Sequence, residues 1–243
     1  MTSKPNIEIA SIGPRVEATA AKRPSRTTLE GRVVSVVPLD PIAHAQTLFD
    51  HTRGEENEGL WRYLFEGPFG TRADFDYHLT QKASSEDPLS FAILDKASGD
   101  AVGYAAYMRI EPAHRVIEVG SILYTPRLQR SVGATEAMYL MARHVFEDLG
   151  YRRYEWKCNA LNAPSRSAAL RLGFAFEGIF RQHMIIKGRN RDTAWFSMLD
   201  SEWPKRREAF ERWLDPANFD ANGRQKVSLS RVESTITLLK NRR

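Results

Sequence analysis

The sequence predicts a mixed α/β fold in which a largely antiparallel central sheet is flanked by helices. Three consecutive segments rich in β-branched and aromatic residues, at 89–94, 102–110 and 116–124, are separated by short polar turns, which is typical of an antiparallel meander. Beyond the meander, helical and strand periodicities alternate as far as a long hairpin. This order indicates one sheet with helices on both faces.

The N-terminal part of the predicted domain begins with a strand at 31–38. Asp40-Pro41 favours a helix start, because a proline in the first turn lacks only an amide that has no intrahelical partner. The apolar face of this helix is predicted to contain Ile42, Ala45, Leu48 and Phe49. A second helix is expected from Thr71, with Phe75 and Leu79 turned inward.

After the meander, apolar spacing predicts a helix over 134–149, and Gly150 fits its C-terminal stop. Further elements complete the order: a strand at 153–159, a short helix capped by Asn162, a hairpin of 174–187 and 193–199 turning at Gly188-Arg189-Asn190, and an amphipathic helix at 202–214 with Trp203 and Trp213. Beyond Asp215-Pro216 the apolar pattern fades, with a weak helix expected near 228–239.

The composition, 42% hydrophobic and 27% charged, is ordinary for a soluble globular protein. Without a long apolar run or signal core, and with one cysteine, a cytoplasmic protein with neither a membrane partner nor a disulfide framework is expected. We predict a disordered basic N-terminal tail at 1–28, a domain at 29–214 and a basic C-terminal extension at 215–243. Because the net charge of +5 resides in these tails, a basic nucleic-acid-binding face is not expected.

The candidate ligand-binding residues cluster at a junction where a predicted strand is followed by a loop and a helix. The loop 129–134 precedes a predicted helix, whose N-terminus offers unpaired amides and partial positive charge to a pyrophosphate. Gly133 and Ala134 would keep bulky side chains away from the ligand, and Arg130 could neutralise phosphate charge. Many such junctions carry a glycine and an arginine and bind nothing.

The ordered motifs resemble the acetyl-CoA signature of the GNAT acetyltransferase superfamily. Gln129, Gly133 and Ala134 resemble the Gln/Arg-x-x-Gly-x-Gly/Ala pyrophosphate loop, with Val132 where the first glycine is usual. Downstream, Asn162-Ala-Pro-Ser165 followed by Leu172-Gly173-Phe174 is similar to the subgroup that acetylates the N-termini of ribosomal proteins.

This resemblance covers about residues 29–203 and implies a GNAT acyltransferase fold, acetyl-CoA as acyl donor and no metal. It places Asn162 on the pantetheine arm and Ser165 near the sulfur as proton donor to the departing thiolate, although a helix-capping serine explains Ser165 as well. The carbonyl oxygen would meet a backbone amide of Ile122–Tyr124. The implied cofactor-binding set is Ile122, Leu123, Tyr124, Gln129, Arg130, Ser131, Val132, Gly133, Ala134 and Asn162.

An amine must be neutral to attack a thioester, so a base or a water path must remove its proton. Glu118 is the first candidate, because its strand resembles the Glu-Ile-Gly-Tyr strand of the subgroup; a structural carboxylate is the alternative. His183 is the second candidate, because the ordinary pKa of a histidine, near 6.5, suits proton transfer. A packing or solvent-facing histidine is the alternative. Met184 stands where the subgroup has a glutamate. We expect Cys158 to be a buried, inert thiol.

The acceptor stays open between a small-molecule amine and a protein N-terminus, and a monomer or homodimer is expected from the resemblance. The aromatic residues Trp61, Tyr63, Phe65 and Phe69 could wall an acceptor pocket or belong to the core. The histidines are scattered without zinc-ligand spacing, so no metal site is expected. The alternative function is a non-catalytic CoA-binding GNAT-like module with a regulatory role, and a nucleic-acid-associated protein is the weakest interpretation.

Overall fold

The central sheet of the computed structural model contains eight strands among the described residues, which are 13–17 and 19–240. In chain order these strands are β1 (Leu29–Glu30), β2 (Val34–Pro38), β3 (Leu89–Asp95), β4 (Ala101–Glu111), β5 (Val116–Tyr124), β6 (Arg153–Asn159), β7 (Ala175–Ile186) and β8 (Arg189–Leu199). Their spatial order is β1-β2-β3-β4-β5-β6-β8-β7, and all neighbours are antiparallel except the parallel pair β5 and β6. The predicted fold class is confirmed.

The helices of the described part are α1 (Pro41–Asp50), α2 (Arg72–Ser84), α3 (Val132–Arg143), α4 (Ala163–Arg171), α5 (Trp203–Leu214) and α6 (Leu229–Lys240). Short polar side chains cap the N-termini of the first four: Asp40, Thr71, Ser131 and Asn162. Helix α3 begins two residues earlier than predicted, because Ser131 Oγ accepts the Ala134 amide at 3.1 Å and so starts the helix at Val132.

Helices cover both faces of the sheet. On one face, α1 and α2 pack over Ala92 and Tyr104. On the other face, α3 and α5 enclose a larger core that includes Phe91 and Tyr107. Because the central strands are buried on both faces, their sequences are almost continuously apolar.

Two local predictions are wrong. Ile42 is 95% exposed, because the buried stripe of α1 contains His44, Ala45, Leu48 and Phe49, and at about 100° per residue Ile42 lies to its side. The hairpin turns at Lys187-Gly188 rather than at 188–190, since Ile186 pairs directly with Arg189. Both turn residues have positive φ, which a two-residue hairpin turn of the primed type requires.

Part of the predicted disordered tail packs on the domain. Residues 1–12 and 18 lie outside the described residues. The amides of Ala21 and Lys22 donate to Pro112 O at 3.0 Å and Leu149 O at 2.9 Å, and Arg26 donates to Ala83 O at 3.0 Å. The structure therefore differs from the prediction over this short stretch, because partners distant in sequence satisfy its polar groups.

The segment after α5 also folds onto the body. Helix α6 packs against α5 and buries Leu229 and Ile236, while Phe219 lies edge-on to Trp213 with ring centroids 5.2 Å apart. Among the described residues, no helix has the length and apolarity that crossing a bilayer requires.

Candidate active site

A cleft opens where strands β5 and β6 separate. Their parallel pairing runs from Val116 opposite Arg153 to Val119 opposite Trp156 and does not continue toward the end of β5. At this point β5 contains a β-bulge, in which Ser121 has a φ of 49°. The end of β5, Ile122–Tyr124, thus lies beside the cleft with its β6-facing edge outside the strand pairing.

The cleft has a volume of about 1600 Å³ and extends from the N-terminus of α3 to the β7–β8 hairpin. The predicted catalytic residues Glu118, Ser165 and His183 all line it. So do nine of the predicted cofactor-binding residues, namely Ile122, Leu123, Tyr124, Gln129, Arg130, Ser131, Val132, Ala134 and Asn162. The fold therefore brings together residues that the sequence separates by up to 65 positions.

Gly133 does not line the cleft. A Cβ at this position would lie 2.7 Å from Cγ1 of Val34, so the glycine permits α3 to approach β2 closely. The expectation that Gly133 keeps side-chain volume away from a pyrophosphate is thus corrected: with the helix starting at Val132, this position points into the core.

The α3 end of the cleft is suited to anions. The N-terminus of α3 lines the cleft together with Arg130 and Arg171, and Arg171 donates to Thr135 Oγ1 at 2.9 Å. Burial lowers the pKa of Arg171, and Tyr124 acts in the opposite direction. Sequence reasoning missed Arg171, because a single arginine at the end of a short helix carries no motif.

Ser165 is oriented by two neighbours. Its amide donates to Asn162 Oδ1 at 3.1 Å, and its Oγ accepts the indole N–H of Trp156 at 3.0 Å. Because Oγ accepts from the indole, its hydroxyl proton can be donated to a sulfur, and in this structure the neighbouring Cys158 is such a partner. Burial raises the pKa of the neighbouring Cys158 thiol, although the Ser165 hydrogen bond opposes this, and a raised pKa fits an inert cysteine.

Glu118 lies in a buried charge cluster. Its Oε2 accepts from Lys157 Nζ at 2.8 Å and pairs with Arg109 Nε at 3.0 Å, and Lys157 also pairs with Glu155 at 2.6 Å. Burial raises the pKa of Glu118, and Lys157 and Arg109 act against that rise. Glu118 therefore pairs with neighbouring strands and also lines the cleft, and its role as a base stays a prediction.

His183 projects from β7 into the same end of the cleft. Its Nδ1 lies 3.0 Å from Thr193 Oγ1. Burial lowers the pKa of His183, and the cations Arg109, Arg191 and Lys157 lower it further. Both effects disfavour the protonated imidazole, and the neutral imidazole is the form that can accept a proton.

The aromatic residues proposed as an acceptor wall divide into two pairs. Trp61 is buried in the α1–α2 core, with its Nε1 donating to Thr52 O at 3.1 Å, and Phe69 packs edge-on against it. Tyr63 and Phe65 line the cleft. Only the second pair can contact a ligand in this cleft.

The C-terminal extension borders the cleft as well. Phe219, Arg224 and Gln225 line it, and Gln225 Oε1 accepts the indole N–H of Trp213 at 2.8 Å. Nothing in the local sequence marks these residues, because their place depends on the chain folding back over α5. Within the part of the chain that the structure describes, no cluster of three or more His, Cys, Asp or Glu side chains could hold a metal ion.

Comparison with known proteins agrees with this geometry. A family model described as an acetyltransferase (GNAT) domain matches residues 37–175. A crystal structure of a GCN5-related N-acetyltransferase from Brucella melitensis is 51% identical, with a TM-score of 0.87, and the match covers 89% of this chain and 98% of that one.

Two curated relatives match over shorter spans. An uncharacterized N-acetyltransferase p20 from Bacillus licheniformis is 28% identical, over 46% of this chain and 63% of that protein. A ribosomal-protein-serine acetyltransferase from Escherichia coli is 26% identical, over 42% of this chain and 58% of that protein. The chain thus spans less than two thirds of each curated relative. Since the matched family model covers more than half of its residues and the fold agrees, this chain belongs to the GNAT acetyltransferase family.

Proposed function

We propose that this protein is an N-acetyltransferase that moves the acetyl group of acetyl-CoA to a primary amine by direct attack in a ternary complex. The observation that carries the proposal is a cleft between β5 and β6, which joins the N-terminus of α3, suited to an anion, to the buried pair of Glu118 and Lys157. Its volume of about 1600 Å³ exceeds the roughly 300–1000 Å³ of an ordinary ligand pocket, which suits two substrates bound together.

The acetyl-CoA orientation follows from the chemistry of the two ends. The pyrophosphate suits the α3 N-terminus with Arg130 and Arg171, because unpaired amides and guanidinium groups both favour anions. The pantetheine arm would pass Asn162, which brings the thioester toward Ser165 and the bulge of β5. There a backbone N–H of Ile122–Tyr124 would stabilise the negative charge that develops on the carbonyl oxygen.

Proton transfers assign the remaining roles. The ammonium form of the acceptor loses one proton to Glu118, directly or through water, or to His183, before nitrogen attacks the thioester carbon. The positively charged nitrogen of the tetrahedral intermediate then loses a second proton to water. When the tetrahedral intermediate collapses, the C–S bond breaks and the sulfur keeps the bonding electrons. The hydroxyl of Ser165 then donates a proton or a hydrogen bond to that sulfur.

Small amines and protein N-termini are both candidate acceptors. The Escherichia coli relative is named for a ribosomal protein, so a ribosomal-protein N-terminus belongs among the tested acceptors. The non-catalytic alternative, a regulatory CoA-binding module, shares the pyrophosphate end and differs only in chemistry. An assay that separates binding from turnover therefore distinguishes the two.

The test has two parts on the purified full chain. Calorimetry measures acetyl-CoA binding, and thiol release is followed with acetyl-CoA and a varied set of amines and peptides. We expect binding and amine-dependent CoA release, with the acetylated amine found by mass spectrometry. Binding without release from any amine would favour the non-catalytic module, and no binding would refute the proposal.

A further inference from the structure

Arg191 occupies an unusual position at the acid–base end of the cleft. It lies on β8, is 8% exposed, and lines the cleft together with Glu118 and His183. A buried guanidinium is costly unless anions or hydrogen-bond acceptors surround it, so its partners reveal its role.

Among the described residues, no hydrogen bond or ion pair reaches the Arg191 side chain, and its Nε is fully buried without a partner. Its guanidinium instead lies over the ring of Phe65, 5.1 Å from the centroid. The neighbouring cations differ, because Arg109 and Lys157 both pair with Glu118. Arg191 is thus a buried cation with no anion in hydrogen-bond or ion-pair contact among the described residues, and Glu118 acts on it only electrostatically.

The phosphates of CoA are not suitable partners for Arg191. They suit the opposite end of the cleft, where Arg171 contacts Thr135 and interacts with Tyr124. The groups that interact electrostatically with Arg191 are Cys158, Glu118 and Arg109, all at the thioester end. An anion at Arg191 would therefore belong to the second substrate.

We propose that Arg191 binds an anionic group of the acceptor, so that the substrate is a primary amine that also carries a carboxylate or a phosphate. This inference rests on the proposed acetyl transfer and names its acceptor class. Phe65 lies against the guanidinium on one side. The planar fork of an arginine can bind two oxygens of an anion. Glu118 and Arg191 would then recognise the two ends of a zwitterion, the amine and the acid.

Matched pairs of amines test this class. The probes are free α-amino acids against their α-carboxamides, and phosphoethanolamine against ethanolamine, each titrated by calorimetry into protein saturated with CoA. Because a charge-assisted hydrogen bond is stronger than a neutral one, we expect the anionic member of each pair to bind about tenfold tighter or more. The carboxylate and phosphate arms show which anion the site prefers.

Two variants and a control assign the preference to Arg191. In Arg191→Met the ratio of affinities should fall to about one, and in Arg191→Lys it should be intermediate, because lysine keeps the charge and loses the planar fork. Arg189→Met removes an exposed arginine two residues away on the same strand and should keep the wild-type ratio.

Three results would overturn the inference: equal affinity within both pairs, an unchanged ratio in Arg191→Met, or no binding by any anionic probe. Acetyl-CoA binding and amine-dependent turnover are measured separately. If they persist while the pairs bind equally, the acceptor class is wrong and the acetyltransferase proposal stands. If acetyl-CoA does not bind, the proposed function itself fails.

Discussion

Nζ of Lys157 lies 2.8 Å from Oε2 of Glu118, and both side chains are almost entirely buried. The same ammonium lies 2.6 Å from Oε2 of Glu155, which stands opposite Glu118 in the parallel register of β5 and β6. Lys157 therefore bridges two carboxylates at the point just before the strands separate, and each carboxylate also pairs with an arginine, Arg109 for Glu118 and Arg153 for Glu155. This arrangement keeps a carboxylate in the cleft that would otherwise be too costly to ionise.

Replacing Lys157 should destabilise the fold strongly. In Lys157→Met two buried carboxylates lose their shared cation, and we expect a loss of about 3–5 kcal/mol in unfolding free energy. The control Lys96→Met removes an exposed pair with Glu30 and should cost about 1 kcal/mol or less. Urea denaturation at pH 7 measures both, and equal losses would mean that burial adds nothing to this pair.

Glu118 should control the acidic limb of the rate profile. The base must be ionised, and burial raises the pKa of Glu118, so kcat/KM should fall as pH drops through a value above that of an ordinary carboxyl group. Glu118→Gln should lower kcat/KM by about 10²–10⁴-fold and abolish that limb. His183→Asn provides the comparison: if it removes the limb while Glu118→Gln retains it, His183 is the base.

Ser165 should act on the chemical step. Without its hydroxyl the departing thiolate lacks a donor, so Ser165→Ala should lower kcat by about 10²-fold while the KM for acetyl-CoA changes little. Trp156→Phe removes the indole N–H that orients Oγ, together with part of a buried ring system, and its effect on kcat should be smaller. Ser201→Ala, an exposed serine, serves as the control. A normal kcat in Ser165→Ala would remove the serine from the mechanism.

Arg171 should contribute to acetyl-CoA affinity through the phosphates. We expect Arg171→Met to raise the Kd for acetyl-CoA by about tenfold or more, because it loses a charge-assisted contact. Affinity for acetylpantetheine, which lacks the phosphates, should not change. Arg212→Met removes an exposed arginine of α5 and is the matched control. If Arg171→Met weakened the binding of acetyl-CoA and of acetylpantetheine equally, Arg171 would not contact the phosphates.

Gly133 should matter for stability rather than for ligand binding. A Cβ there would lie 2.7 Å from Cγ1 of Val34, so Gly133→Ala should cost about 1–3 kcal/mol through overpacking. Val34→Ala removes the obstructing methyl groups, and the double variant should lose less than the sum of the single variants. Thermal or urea unfolding measures this cycle, and strictly additive losses would contradict the packing role.

The predicted elements were accurate where local signals are strong. Capping residues and apolar periodicity located the starts of α1, α2 and α4, and alternation located β6 with its observed bounds. The wrong predictions concern places where the local sequence pattern is compatible with two structures. Ile42 could join the apolar face or flank it, and the start of α3 depended on whether Ser131 or a later residue forms the cap.

The candidate site was predictable only in part. Glu118, Ser165 and most of the pyrophosphate loop could be named because they occur in ordered motifs. Arg171, Arg191 and the residues of the C-terminal extension could not, because no spacing in the sequence links them to the loop. Similarly, nothing in the local sequence marks Lys157 as buried, whereas its side chain is covered and its charge is paired.

The sequence by itself determined the order of strands and helices and the family, because these depend on periodicity, capping and spacing along the chain. Only the tertiary structure decided which charges are buried and which have partners. Glu118, Lys157 and Arg191 lie far apart in sequence, and the energy of each buried charge depends on the neighbours that the folded sheet places around it.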